Sequence, residues 1–476
     1  MTRSVLLVVF AALALAFPAT VAALGVSQLP GKDGCLHPDR SDCARAIGTE
    51  GSVAAVVSPD GKHVYVASGA ASFGSLTSFS RDPATGALTQ LPGERGCVSS
   101  TGRGEQNLGP QVCRKGNGLP FLNDVAISKD GLTIYTLSRA GFEQGQAVDT
   151  FRRDPDTGEV TQMQCFTARP NETGCTQAAL QLPDKIALTP DNRTLIAAGE
   201  SISTFAVGDD GRITDNGTCL TVLTAKPDPD YLCRNAPRDR RLSPIESMSL
   251  SSDGKRLYAT AGLGGRRPQL QAYAVDAKAR TVKPRACAGV SREGAPCRSA
   301  RRLRDAFDVA VSPDGRGVYT ASSRFVETDE EDGSGYLSSS TLGAFRAPKL
   351  GQLPGRRGCV LFAAERGSDK TCAKAPSKRG RGFLGASTIA VTPNGRYALG
   401  GFSQSSAVAL LKRNARTQAL TPVMGRSGCV AEPGKRTVKG CGEGRGIGFV
   451  RDIAIAPDGR NAYLLNDEGL AVFRLR

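Results

Sequence analysis

The sequence predicts an all-β fold: a seven-bladed β-propeller with four antiparallel strands per blade. Three observations lead there. First, a phrase made of an apolar-alternating strand, a tight Ser-Pro-Asp-Gly-type turn and a second strand occurs seven times. It reads VAAVVSPDGKHVYVAS from Val53, NDVAISKDGLTIYTLS from Asn123, DKIALTPDNRTLIAAG from Asp184 and ESMSLSSDGKRLYATAG from Glu246. It returns as DVAVSPDGRGVYTAS from Asp308, STIAVTPNGRYALGG from Ser387 and RDIAIAPDGRNAYLLN from Arg451. Second, each phrase leads into a third strand with a large apolar residue near its end: Phe79, Phe151, Phe205, Tyr273, Phe345, Leu411 and Phe473. A polar turn such as RDPATG (81–86) and a fourth strand such as ALTQLPG (87–93) follow. Third, the cysteines keep the same phase. Repeats of this kind cannot bury their apolar faces singly and do so by stacking, which makes one body of residues 24–476.

Ring closure is expected to be non-local. The third strand of the seventh unit ends near Arg476, and VSQLPGKDGC (26–35) matches LTQLPGERGC (88–97) and GQLPGRRGC (351–359). The segment after Gly25 is therefore expected to supply the outer strand of the seventh blade, leaving no unpaired edge there.

The first residues, MTRSVLLVVFAALALAFPATVAALG, carry Arg3, an apolar run and small residues at Val21-Ala22-Ala23. This is the pattern of a secretory signal peptide over 1–23; an uncleaved membrane anchor is the competing reading. No later stretch approaches the roughly 18 apolar residues that a membrane span needs. Fourteen cysteines beside such a segment imply an oxidising, extracellular destination. One cysteine ends each fourth strand and a second follows before the next unit. The periodic assignment is Cys35–Cys43, Cys97–Cys113, Cys165–Cys175, Cys219–Cys233, Cys287–Cys297, Cys359–Cys372 and Cys429–Cys441. The variable gaps lack the tight spacing of a zinc site. Formal charge is +16, or +15 once Arg3 is removed with the leader. That balance favours an anionic cell-envelope polymer or a protein partner on a monomeric module. Aromatics do not interleave with the basic clusters, so no specific nucleic-acid platform is expected.

The phrases SPDGKHVYVAS (58–68), SPDGRGVYTAS (312–322) and SLTSFSRDPATGALT (75–89) resemble the seven-bladed lactonase-like propellers, with YVTN-type repeats and kinship to 6-phosphogluconolactonase. The resemblance covers the whole mature chain and implies the fold; the family's enzymes would imply hydrolysis of a sugar lactone. The matching residues are scaffold residues, and the cysteine pairs are an addition to the pattern of the cytoplasmic enzymes.

Strand parity puts the two short turns of each unit on one face and the long, variable loops, including all the disulfide loops, on the other. Variable loops on a rigid frame mark the working face. First strands of propeller blades line the central channel, and their beginnings open on that face. Six and seven residues before each turn residue stand Asp124, Asp184, Glu246, Asp308 and Asp452, with Asn123, Lys185 and Arg451. Asp124, Asp308, Asp452 and Glu246 are the candidate catalytic acids, able to position a water against a lactone carbonyl. Asp124, Asp308 and Asp452 are also candidate ligands for Ca²⁺ or Mg²⁺. Asn123, Asp184, Lys185 and Arg451 are candidate ligand-binding residues; ion pairs joining the blades are the competing role of all these charges. Of the two histidines, His37 lies in the first disulfide loop and His63 is expected on the surface. Tyr65, Tyr135, Tyr258, Tyr319 and Tyr463 form one packing column. The acidic run from Glu327 to Asp332 fails the calcium-loop pattern. No Gly-x-Ser-x-Gly nucleophile elbow occurs. The expected role is a binding module acting through the loop-rich face, with a lactone hydrolase as the alternative.

Overall fold

The structure, a computed structural model, describes residues 25–70, 73–104, 112–139, 146–168, 174–221, 244–261, 269–289, 297–303, 305–327, 335–363, 371–375, 383–434 and 438–476. The expected signal peptide and most of the Glu327–Asp332 run lie outside the described residues. Seven small sheets form the ring. Blade 1 comprises Ser52–Val57, His63–Ala70 and Phe73–Arg81, followed by an outer strand in two pieces, Leu88–Gln90 and Cys97–Ser99. Blades 5 and 6 repeat this order, blades 2 to 4 do so with an unbroken outer strand, blade 7 takes its outer strand from the start of the described chain, and neighbouring first strands pack against one another around the channel.

The break in the outer strand explains the Leu-Pro-Gly-x-x-Gly-Cys phrase. Between its two pieces runs a single 3₁₀ turn, Gly93–Gly96. Gly93 has φ +59°, and a Cβ on Gly96 would stand 2.4 Å from the Leu91 carbonyl oxygen. Only glycine fits both conditions. The same turn recurs at Gly31–Gly34 and Gly355–Gly358.

Blade 7 is closed as its sequence suggests. Val26 pairs with Leu475 and Gln28 with Phe473, and Cys35 pairs with Ala471. Gly25 and Arg476 exchange backbone hydrogen bonds at 3.2 and 2.9 Å. The two ends of the described chain thus form one antiparallel ladder.

Six disulfides join the expected partners, with Cα–Cα separations of 4.6 to 4.9 Å. Cys219 is also disulfide-bonded; its expected partner Cys233 lies outside the described residues. Each bridge has a consequence that the spacing did not disclose. In blade 1 the residues after Cys113 return beside the outer strand and pair with it in parallel, Val98 with Arg114 and Ser99 with Lys115. The same short parallel edge strand appears at Ala44–Arg45, Thr176–Gln177, Arg298–Ser299, Ala373–Lys374 and Gly442–Glu443. A parallel return needs a long crossover, and the disulfide loop supplies it while covering the blade's edge. Closing each loop contributes roughly 2–3 kcal/mol on the chain-entropy account. Together the bridges fit an oxidising compartment. Among the described residues no helix is long and apolar enough to cross a membrane.

The core lies between blades. Tyr65, Leu76 and Val98 of blade 1 pack against Leu122, Ile134 and Phe151 of blade 2, and Tyr463 and Val472 of blade 7 pack against Val64 and Phe79 of blade 1. Tyr65, Tyr135, Tyr258, Tyr319 and Tyr463, with Phe79, Phe151, Phe205, Phe345 and Phe473, are among the largest fully buried side chains, each worth roughly 1.5–3 kcal/mol.

The tyrosine column does more than pack. Three inter-blade seams carry a polar latch on the short-turn face. At the blade 1–2 seam the Arg153 guanidinium, buried, donates to Tyr65 Oη at 2.9 Å, Asp60 Oδ2 at 2.7 Å and the Gly131 carbonyl at 3.0 Å. Tyr65 in turn donates to the Gly158 carbonyl at 2.9 Å. Arg81 repeats this with Tyr463, Asp458 and the Gly61 carbonyl. Arg413 does so with Tyr319, Asp314 and the Gly395 carbonyl. His63 belongs to the first latch. It is buried, 2.7 Å from Arg153 Nη2, which corrects its expected place on the surface: the strand starts inside the seam, not above it. Burial and the adjacent guanidinium hold the imidazole below its ordinary pKa.

Candidate functional site

Six of the seven first strands begin with a β-bulge. In blades 1 to 6 the register slips at the position seven before the turn residue, as between Leu122 and Asp124 or between Ala306 and Asp308. Bulges at a rim re-aim side chains. Simple alternation would send adjacent positions to opposite faces of the strand; the bulge frees both for the mouth.

The inner ring holds Asp124, Lys185, Asp308 and Asp452, charged groups that act on one another across the channel. Asp308 is the most fully satisfied. Its Oδ1 accepts from Val309 N at 2.7 Å and Ser247 Oγ at 2.6 Å, and its Oδ2 from Ile389 N at 2.8 Å and Thr388 Oγ1 at 2.9 Å. One carboxylate therefore ties blades 4, 5 and 6. Asp124 ties blades 2 and 3, accepting from Val125 N at 3.0 Å and Ile186 N at 2.8 Å, with Lys185 Nζ 3.9 Å away. Asp452 differs. Its Oδ1 accepts from Ile453 N at 2.7 Å, and no other hydrogen bond to it occurs among the described residues.

The electrostatics follow. Burial raises all three carboxyls, Asp452 to about 6; Lys185 pulls Asp124 and Asp452 back down, and the four hydrogen bonds do so for Asp308. Burial alone would lower Lys185, yet Asp124, Asp452 and Asp308 together hold its ammonium above the ordinary value. The lysine thus provides the positive charge at the centre of the acidic ring. Among the described residues no three His, Cys, Asp or Glu side chains are grouped to hold one ion.

The outer ring at the mouth carries Asn123, Asp184, Glu246 and Arg451. Asn123 Nδ2 donates to the Asp184 carbonyl at 2.7 Å, joining blades 2 and 3. Asp184 meets Arg139 Nη1 at 2.5 Å; burial lifts its carboxyl to about 7, with Arg139 pulling down and Glu246 pushing up. Arg451 is ion-paired with Asp467 and stacks 5.6 Å over the exposed Phe449 ring. A cleft of about 420 Å³ opens here, lined by Glu50, Val53, Phe121, Asn123, Arg139, Arg451 and Asp467. Two arginines, each about half exposed, thus reach one cleft from blades 2 and 7. Arg139, Asp467, Glu50 and Phe121 escaped the sequence reading because they follow second strands or sit in loops, where the repeat imposes no pattern. His37 is occupied with loop structure: Nδ1 accepts from Asp39 N at 2.9 Å and Arg40 N at 3.1 Å, and Nε2 lies 3.2 Å from Glu468.

No protein-family model and no curated protein sequence matches the chain. Solved structures with a similar architecture do. A putative 6-phosphogluconolactonase from Bacteroides uniformis is 18% identical with a TM-score of 0.45, over 77% of this chain and 82% of that one. The periplasmic gluconolactonase of Pseudomonas aeruginosa is 14% identical with a TM-score of 0.43, over 78% and 83%. Kuenenia stuttgartiensis hydrazine synthase is 15% identical with a TM-score of 0.47, over 92% and 99%.

Proposed function

We propose that this protein is a secreted, disulfide-stapled propeller that binds an anionic, hydroxyl-rich polymer of the cell envelope at the channel mouth. The observation that carries this reading is the cleft where Arg139 and Arg451 converge, with Asn123 and the exposed Phe449 ring beside them. Guanidinium groups suit planar carboxylates. Each is already held by an aspartate, Asp184 or Asp467, so a ligand carboxylate exchanges for one that is present. The disulfide-anchored loops frame the cleft and limit the ordering cost of binding. The test is retention on immobilised polygalacturonate at physiological salt. The wild type should be retained, and an Arg139→Ala/Arg451→Ala variant should elute early; equal retention of the two would dismiss the reading.

One observation favours a second reading. Asp452 has an oxygen without a donor among the described residues and is raised to about 6, suited to a general base near neutral pH, with Lys185 nearby for a developing oxyanion. On this reading the protein hydrolyses a lactone, and wild-type turnover of a sugar lactone that Asp452→Asn abolishes would select it.

A further inference from the structure

The latch residues recur at a seam that has no latch arginine. Position for position, Arg81, Arg153 and Arg413 correspond in blade 3 to Val207. The rest of the latch is present at the blade 2–3 seam. Tyr135 is fully buried and donates to the Gly211 carbonyl at 3.0 Å, as Tyr65 does to Gly158. Asp130 accepts from Ser128 Oγ and Leu132 N at Oδ1, as Asp60 accepts from Ser58 Oγ and Lys62 N. In place of the arginine there is a cavity of about 470 Å³. Its walls include Asp130, Thr133, Tyr135, Asn192 and Val207. The first four are the counterparts of Asp60, His63, Tyr65 and Gly131, which are the four groups around the Arg153 guanidinium. The cavity opens on the short-turn face beside the exposed Asp130 and Asp209.

We propose that this cavity is a binding site for a guanidinium group, carried by a small molecule or by an arginine side chain of a polypeptide. The argument is internal to the chain: the same constellation binds a guanidinium at three other seams. The ligand would donate to Asp130 Oδ2 and the Asn192 main-chain carbonyl, with the buried Tyr135 hydroxyl behind them. At present Asp130 Oδ2 accepts only the Asn192 side-chain amide, at 3.1 Å, and meets no cation among the described residues. That amide belongs to an exposed turn and can share the oxygen, which has more than one acceptor direction. Of the cations that line the cavity, Arg153 is committed to Asp60, while Arg152 and Arg193 are exposed at its rim. Asp130, Asp191, Asp209 and Asp210 set four carboxylates against these three guanidinium groups. A lysine ammonium fits less well, because a planar guanidinium fork reaches both acceptors at once.

The test uses isothermal titration of the full protein with agmatine, the tripeptide Ac-Gly-Arg-Gly-NH2 and Ac-Gly-Lys-Gly-NH2. Either guanidinium probe should bind saturably and at least about tenfold more tightly than the lysine peptide, a difference of about 1.4 kcal/mol. A stronger signal from the tripeptide assigns the site to polypeptides, and from agmatine to free small molecules. Val207→Arg should fill the cavity from within, abolish binding and raise the melting temperature. Asp130→Asn, which leaves the core intact, should weaken binding about tenfold or more. Absence of saturable binding by both guanidinium probes, or unchanged affinity in Val207→Arg or Asp130→Asn, would overturn the assignment.

Discussion

Replacing Asp452 by Asn should stabilise the protein at neutral pH. The carboxyl rises from its ordinary 3.8 to about 6, chiefly through burial, with Asp308 and Asp124 adding repulsion against the pull of Lys185. Between those two values the folded chain holds a proton that the unfolded chain has released. Stability therefore falls as pH rises through this window, and the full penalty applies above about 6. At about 1.4 kcal/mol per pH unit the penalty is at most about 3 kcal/mol, less where channel water screens the charge. Asn keeps the acceptor for Ile453 N and cannot ionise. For a chain of 476 residues, about 2.1 cal/mol/K per residue makes the unfolding entropy about 1 kcal/mol/K, so the gain is up to ~3 °C. Differential scanning calorimetry at pH 7.5 and pH 4 checks this. The variant should melt higher at pH 7.5 and level with the wild type near pH 4. A lower melting temperature at pH 7.5, or an equal gain at both pH values, would show that the carboxylate is not held at a cost. A charge kept at a cost in stability is the mark of a site retained for function.

Four further outcomes follow from the geometry. Arg153→Met should cost about 3 kcal/mol, because Asp60 and the buried Tyr65 lose a shared cation, measurable as a shift in the urea midpoint. Asp60 and Asp314 are each held at about 2, the net result of hydrogen bonds and the latch arginine outweighing burial; their contribution is present above 3.8 and is lost as pH falls toward 2, which acid titration of the native circular dichroism signal reads out. Deleting residues 25–34 removes the strand paired with Gln28↔Phe473 and should lower the melting temperature by many degrees, with a shift of only a degree or two contradicting the closure. At the mouth, polygalacturonate affinity should rise as pH falls from 8 to 6, since Asp184, raised to about 7, takes up a proton and releases Arg139.

Most of the fold was legible because each repeat states the same physics. Leu-Pro-Gly-x-x-Gly-Cys encodes a turn that only glycine can make, and its copy at 29–35 marks the closing strand in the sequence itself. Six of the disulfide pairs were legible from phase alone. The parallel edge strands were not, since Arg114–Lys115 and Ala44–Arg45 share no sequence and their pairing comes from the bridge that precedes them. The latch was half visible: the tyrosine column stood out, but Arg153 lies in the next blade, so its partnership with Tyr65 and His63 appears only when the blades stack. At the mouth, the inner-ring acids were found by position, yet position could not show that Asp308 is saturated by four donors while Asp452 accepts one. Arg139 carried no repeat signal, because a residue just past the patterned strand is free to vary.

The central claim is that the loop-rich face recognises its ligand at one place and not through bulk positive charge. The direct measurement compares polygalacturonate dissociation constants, at about 0.15 M salt, for two variants of equal charge. One is Arg139→Ala/Arg451→Ala at the mouth; the other is Arg316→Ala/Arg460→Ala, two exposed arginines of the short-turn face. A localised site predicts a loss of about tenfold or more for the mouth variant and less than about twofold for the other, since each tenfold step is about 1.4 kcal/mol. Equal losses in both would contradict the account and reduce the binding to the net charge of the whole surface.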